Sequence, residues 1–119
     1  MCIVIVEDQA DIRVSVTHLL EDEGYRVVAF GHPVPVTELH ASEEEAELFL
    51  IDVMLPDIDG IALARRLHYT RFATIPKIAI SASEQALNRA QESSQFDEVL
   101  SKPFDLDDLL QRVERYAAP

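Results

Sequence analysis

At 119 residues the chain has the length of one domain, enough to bury about two thirds of the surface it would expose unfolded. Its 48 % apolar and 27 % charged residues exclude intrinsic disorder, and a formal charge of −12 argues against direct nucleic-acid binding and favours cations or basic partners. Cys2 is the only cysteine, which excludes an internal disulfide, and no apolar run approaches the roughly twenty residues needed to span a bilayer.

The first run, Cys2 to Val6, is continuous and rich in β-branched residues, as in a strand buried on both faces. It is too short for the core of a signal peptide, and a reducing cytoplasm is the expected location. From Ala10 to Glu23, Ile12, Val16, Leu19 and Leu20 recur at helical spacing, with Gly24 as a natural stop. Tyr25 to Phe30 predicts a second strand and Leu48 to Ile51 a third. Between them Pro33 and Pro35 forbid a regular helix through their own positions, and a short helix is expected from about Val36 to Ser42.

Asp52 to Gly60 reads as a turn-rich loop, with Asp59 placed to cap a helix over Ile61 to Tyr69. Lys77 to Ile80 gives a fourth strand, Ser83 to Ser94 a polar helix and Glu98 to Leu100 a short fifth strand. Asp105 to Ala117 closes the chain as a helix with an apolar stripe of Leu106, Leu109, Leu110 and Val113. Asp105 with Asp108 resembles a capping box at its start.

Strands alternating with helices imply an α/β fold: a five-stranded parallel sheet, doubly wound, with helices on both faces. In such sheets the active crevice lies beyond the carboxyl ends of the strands. Those ends carry Glu7 and Asp8, then Asp52, then Ser81, then Ser101-Lys102-Pro103. Converging carboxylates repel, each close pair by about 4 kcal/mol at 4 Å and an effective dielectric of 20. A hard divalent cation such as Mg²⁺ offsets this, and Lys102 adds a second positive charge. A carboxylate between a divalent ion and an ammonium is suited to attack a phosphoryl group and form an aspartyl phosphate.

Four elements, in order and in spacing, carry a resemblance over essentially the whole chain. They are Glu7-Asp8, Asp52 in D-V-M-L-P-D-I-D-G, Ser81 in I-S-A-S and Lys102 in S-K-P-F. In this α/β frame the sequence resembles the receiver domain of two-component response regulators, with residues 1–119 as one receiver domain. The resemblance implies a flavodoxin-like (βα)5 three-layer sandwich and a phosphorylation-controlled module rather than an enzyme. Asp52 is then the phosphoacceptor, fed by a sensor histidine kinase or a histidine phosphotransfer protein. Asp8 and Asp52 would contact Mg²⁺ directly, Glu7 through water, and the Met54 carbonyl would complete the protein ligands. Ser81, the Ala82 amide and Lys102 would bind the phosphoryl group, and the Lys102-Pro103 bond is expected to be cis. A downstream protein or attached output domain would read the change, and a homodimer is compatible with the family.

Other residues have plainer readings. Asp57 and Asp59 fall in the loop after Asp52 and suit capping or solvation; His18, His32, His40 and His68 share no spacing and read as surface residues. Cys2 reads as a small core hydrophobe. Three positions depart from the family pattern before the lysine: Gln95 stands for a glycine, Phe96 for a small residue and Val99 for the aromatic switch residue. That puts the usual hydroxyl–aromatic coupling in doubt and leaves Phe96 or the helix over Ser83 to Ser94 to carry the signal. Met54 and Ser83, at the positions that set dephosphorylation rate in the family, suggest a long-lived phosphoryl state. Two alternatives stay open: a degenerate receiver used as a constitutive scaffold, and a small Mg²⁺-dependent phosphatase. Against the second, Glu7-Asp8-Gln9 stands where an aspartyl phosphatase carries D-x-D.

Overall fold

Apolar runs that alternate with amphipathic stretches can bury both strand faces only if helices cover the sheet on each side. The computed structural model describes residues 2–32, 45–56 and 58–119. Among them the chain forms β1 (Cys2–Val6), α1 (Ala10–Asp22), β2 (Val27–Phe30), β3 (Ala46–Asp52), α2 (Gly60–His68), β4 (Lys77–Ser81), α3 (Glu84–Glu92), β5 (Glu98–Ser101) and α4 (Leu106–Glu114). The helix expected near Val36 to Ser42 lies outside the described residues, as do His40 and Asp57.

The strands pair in parallel in the order β2-β1-β3-β4-β5, the arrangement of a flavodoxin-like sheet. Ile5 faces Leu50, Asp52 faces Ile80 and Ser81 faces Ser101, so the carboxyl ends of β1, β3, β4 and β5 finish along one edge. On one face Ile3, Ile5, Leu48, Leu50, Ile78 and Ile80 pack with Val16 and Leu20 of α1 and Leu109 and Val113 of α4. On the other, Val4, Val6, Phe49 and Ile51 meet Leu63, Ala64 and Leu67 of α2. A third set of small residues, Ala79, Ala86 and Ala90, lies with Val53 and Ile61 under α3, with Phe96 and Val99 against it. Leu20, Leu48 and Leu109 are fully buried, so truncating any of them to alanine is expected to cost about 2–5 kcal/mol. Cys2 is a buried core residue, as expected.

Local chemistry sets the element ends. After α1, Gly24 adopts φ 95°, its N–H reaches the Glu21 carbonyl at 3.0 Å, and the Tyr25 N–H reaches the Leu20 carbonyl at 3.0 Å. This is a Schellman turn, and it delays β2 to Val27 instead of Tyr25. The Tyr25 hydroxyl donates to the Ala117 carbonyl at 2.9 Å, tying the end of the chain to the start of β2. Asp59 caps α2 as expected, its Oδ1 accepting from the Ile61 N–H at 2.7 Å. The capping box at α4 is only half formed. Asp105 accepts from the Asp107 N–H at 2.9 Å, whereas Asp108 pairs with Arg112 one turn on. α3 ends at Glu92 rather than Ser94, because Ser94 takes the left-handed conformation with φ 61°. Lys77 opens β4 almost wholly buried, and its ammonium folds back onto the carbonyls of Ile75 at 2.8 Å and Phe72 at 3.3 Å. Among the described residues no helix is long and apolar enough to cross a membrane.

Candidate functional site

Because β1, β3, β4 and β5 are parallel, the residue that follows or ends each one is delivered to the same edge. Glu7 continues β1 by one residue, its N–H bonded to the Phe30 carbonyl at 3.0 Å, and its side chain is buried at 3 % exposure. Asp8 next to it is exposed. Asp52 ends β3 and is also buried, at 4 % exposure, and the Val53 N–H after it is bonded to the Ile80 carbonyl of the neighbouring strand at 2.9 Å. Glu7, Asp8 and Asp52 each offer a carboxylate oxygen within 4.8 Å of the others.

Lys102, just beyond β5, reaches across this group. Its ammonium lies 3.0 Å from Asp52 Oδ2, 2.5 Å from Glu7 Oε1 and 2.8 Å from Gln9 Oε1. Its backbone is fixed by an N–H bond to the Ser81 carbonyl at 2.9 Å, and the Lys102-Pro103 bond is cis, as expected. The other oxygen of Asp52, Oδ1, accepts from the Met54 N–H at 2.9 Å. Ser81 ends β4 fully buried, and its Oγ accepts from the Ser83 N–H at 3.1 Å, which leaves the hydroxyl proton free to be donated. Ala82 follows at the surface.

The electrostatics follow from this crowding. Burial first, and then the hydrogen bond shared with Asp52, push the Glu7 carboxyl up to about 7, against the opposing pull of Lys102. Burial alone would lower the Lys102 ammonium; its hydrogen bonds to Glu7 and Asp52 outweigh burial and hold it above its ordinary value. Two buried acids thus share one lysine. A hard, oxygen-seeking divalent cation fits such a donor set.

The predicted Glu7, Asp8, Asp52 and Lys102 are therefore brought together, with Ser81 at the end of the adjoining strand and Met54 on Asp52 through its amide. Two participants carried no signal in the sequence reading. Gln9 holds the lysine, and Arg13, one helical turn later, donates from Nη1 to the Glu7 carbonyl at 2.9 Å. Gln9 is the N-cap of α1 and Arg13 lies one turn into it, positions that no motif in the sequence marks. Asp59 turns out to cap α2 and to pair with Arg89 at 3.0 Å.

A parallel α/β sheet whose carboxyl edge gathers buried acids, a hydroxyl and a lysine defines a class of phosphoacceptor signalling domains. The profile of the response regulator receiver domain matches residues 3–114, and the chain belongs to that family. It is 33 % identical to the response regulator receiver protein CpdR of Brucella abortus, covering 95 % of this chain and 93 % of that protein. It is 32 % identical to the regulatory protein VanRc of Enterococcus gallinarum over 94 % of this chain, but spans only 48 % of that relative. Among solved structures, a CheY-like receiver domain protein of Methanospirillum hungatei superposes with a TM-score of 0.79 at 29 % identity, covering 95 % of this chain and 90 % of that one.

Proposed function

We propose that this chain, taken as one receiver unit, accepts a phosphoryl group onto Asp52 from a sensor histidine kinase or a histidine phosphotransfer protein. The observation that carries the reading is the buried Asp52 carboxylate held between the Lys102 ammonium at 3.0 Å and the Met54 amide at 2.9 Å, facing Glu7 and Asp8. The chemistry is displacement at phosphorus. A carboxylate oxygen of Asp52 forms the new O–P bond as the donor's N–P bond breaks, and the donor imidazole keeps the electron pair.

Asp8 and Asp52, with the Met54 carbonyl and Glu7 through water, would hold Mg²⁺. When bound, the ion supplies charge neutralisation for the transferring oxygens. Lys102 stabilises negative charge on the phosphoryl group by moving from its ion pair with Glu7 and Asp52 to a phosphoryl oxygen. The Ser81 hydroxyl, already accepting from Ser83, donates its proton to a second oxygen, and the exposed Ala82 amide serves a third. Burial of Asp52 excludes water from the acyl phosphate. Met54 is 59 % exposed beside the site and offers an attacking water no polar group, which favours a long-lived phosphoryl state.

The module works as a switch that assists its own phosphorylation and dephosphorylation, and acts in the cytoplasm. Its output passes to a downstream protein or an attached output domain. Phe96 packs, as Val99 does, against the set of residues that includes Val53, next to Asp52, so it is the aromatic side chain suited to relay the change. Beryllofluoride, which mimics a phosphoryl group on a carboxylate, provides the test. Fluorine NMR should show a bound signal that requires Mg²⁺ and disappears in Asp52→Asn. A signal without Mg²⁺, or one retained by the variant, would show that the site is elsewhere.

A further inference from the structure

α1 and α2 run antiparallel to the strands, so both helices end at the amino edge of the sheet, opposite the acidic site and on opposite layers. The two ends carry opposite charge. No acidic residue occurs between Asp59 and Glu84, although the chain is strongly acidic elsewhere, and Arg65, Arg66, Arg71 and Lys77 fall in that stretch. Arg65 and Arg66 are exposed at the end of α2, with Tyr69 one turn on at 87 % exposure and stacked edge-on against His68. Among the described residues neither arginine lies within ion-pair distance of an acidic side chain, although Arg65 lines a groove with Asp59 and Glu92.

At the end of α1 the sequence is Glu21-Asp22-Glu23, all exposed, and the last turn holds no basic residue. Acids there oppose the negative end of the helix dipole. Exposed Glu114 ends α4 nearby; burial first, and then the charges of Glu114, Glu47 and Glu23, push the Tyr25 hydroxyl above its ordinary value.

We propose that this edge is a self-complementary surface through which two copies of the chain associate about a two-fold axis. Arg65, Arg66 and Tyr69 of each copy meet Glu21 and Glu23 of the other. A two-fold axis uses both patches twice and closes the assembly at a dimer. The exposed ring supplies apolar area beside the charges, as in interface anchors generally.

The net charge makes the salt dependence diagnostic. The molecule measures 31 × 31 × 25 Å, and at about 10 mM salt the Debye length of roughly 30 Å lets whole-molecule repulsion between two acidic copies act in full. At about 150 mM, where screening sets in at roughly 8 Å, that repulsion fades while contacting pairs survive; at about 1 M the pairs are screened as well.

Sedimentation velocity on the unphosphorylated protein should therefore show most dimer near 150 mM and less at both extremes. Arg65→Glu/Arg66→Glu and Glu21→Lys/Glu23→Lys should each be monomeric alone, and an equimolar mixture should dimerise. The two exchanges shift net charge by equal and opposite amounts, so the mixed pair repels no more than wild type does. Tyr69→Ala should weaken the dimer several-fold at unchanged charge. A wild type monomeric at every salt concentration, association that rises steadily with salt, or a mixture that stays monomeric would overturn the proposal. None of these outcomes depends on whether Asp52 is phosphorylated.

Discussion

Gly60 links the stability of the fold to the position of the phosphoacceptor, and Gly60→Ala perturbs both at once. A Cβ built on Gly60 would lie 2.3 Å from the Asp52 carbonyl oxygen, 2.8 Å from Val53 Cα and 3.0 Å from the Asp52 carbonyl carbon. All three are backbone atoms, so no side chain can rotate away. To reach an ordinary 3.4 Å contact, α2 must retreat from the end of β3 by about 1 Å. That retreat also stretches the Gly60 N–H bond to the Val53 carbonyl, now 2.8 Å. Overpacking costs about 1–3 kcal/mol and a lost hydrogen bond about 1 kcal/mol, while the better helix propensity of alanine returns somewhat under 1 kcal/mol. A net loss of about 2 kcal/mol corresponds to a fall in Tm of roughly 8 °C for a domain of this size. A misplacement of about 1 Å at the reacting carboxylate is expected to slow phosphorylation by about 10- to 100-fold. Urea unfolding and the initial rate with a small phosphodonor read the two effects. A variant within about 0.5 kcal/mol of wild type, with an unchanged rate, would refute the close approach of α2 to Asp52.

Other perturbations address single links. The folded-state pKa of Glu7 near 7 lies above its ordinary 4.5, so the metal-free protein should lose stability as pH rises from about 4.5 through 7, by at most about 3 kcal/mol. Thermal melts of Glu7→Gln should lack this loss, and equal pH slopes for the two proteins would contradict the placement of Glu7. Lys102→Met leaves Glu7 and Asp52 facing each other without the ammonium and should cost about 3 kcal/mol at pH 7.5. The penalty should shrink at pH 5 and on adding Mg²⁺, as denaturant titrations would show. Ser94→Gly relieves a side chain held at φ 61° and should raise stability by about 1 kcal/mol, whereas a lower Tm would argue against that conformation.

The parts of the site carried by strand ends were legible in the sequence, because parallel pairing alone determines that Glu7, Asp52, Ser81 and Lys102 share an edge. Side chains that act from the start of α1 and its cap were not. Gln9 holds Lys102 through an amide that belongs to no periodic pattern, and Arg13 reaches a backbone carbonyl, which no sequence motif records. Element boundaries moved where turn chemistry outweighed hydrophobic pattern, as when the Schellman turn at Gly24 took Tyr25 out of β2. Asp108 was misread because Arg112, one turn away, competes for its carboxylate. Lys77 reads as a plain strand residue in the sequence; only the fold brings the Phe72 and Ile75 carbonyls to its ammonium.

The central claim, that Asp52 is the phosphoacceptor, is tested most directly by intact mass after incubation with Mg²⁺ and a small phosphodonor such as acetyl phosphate. The account predicts one phosphoryl adduct on the wild type, lost when the metal is chelated and absent from Asp52→Asn. No adduct on the wild type, or an equal adduct on the variant, would contradict it.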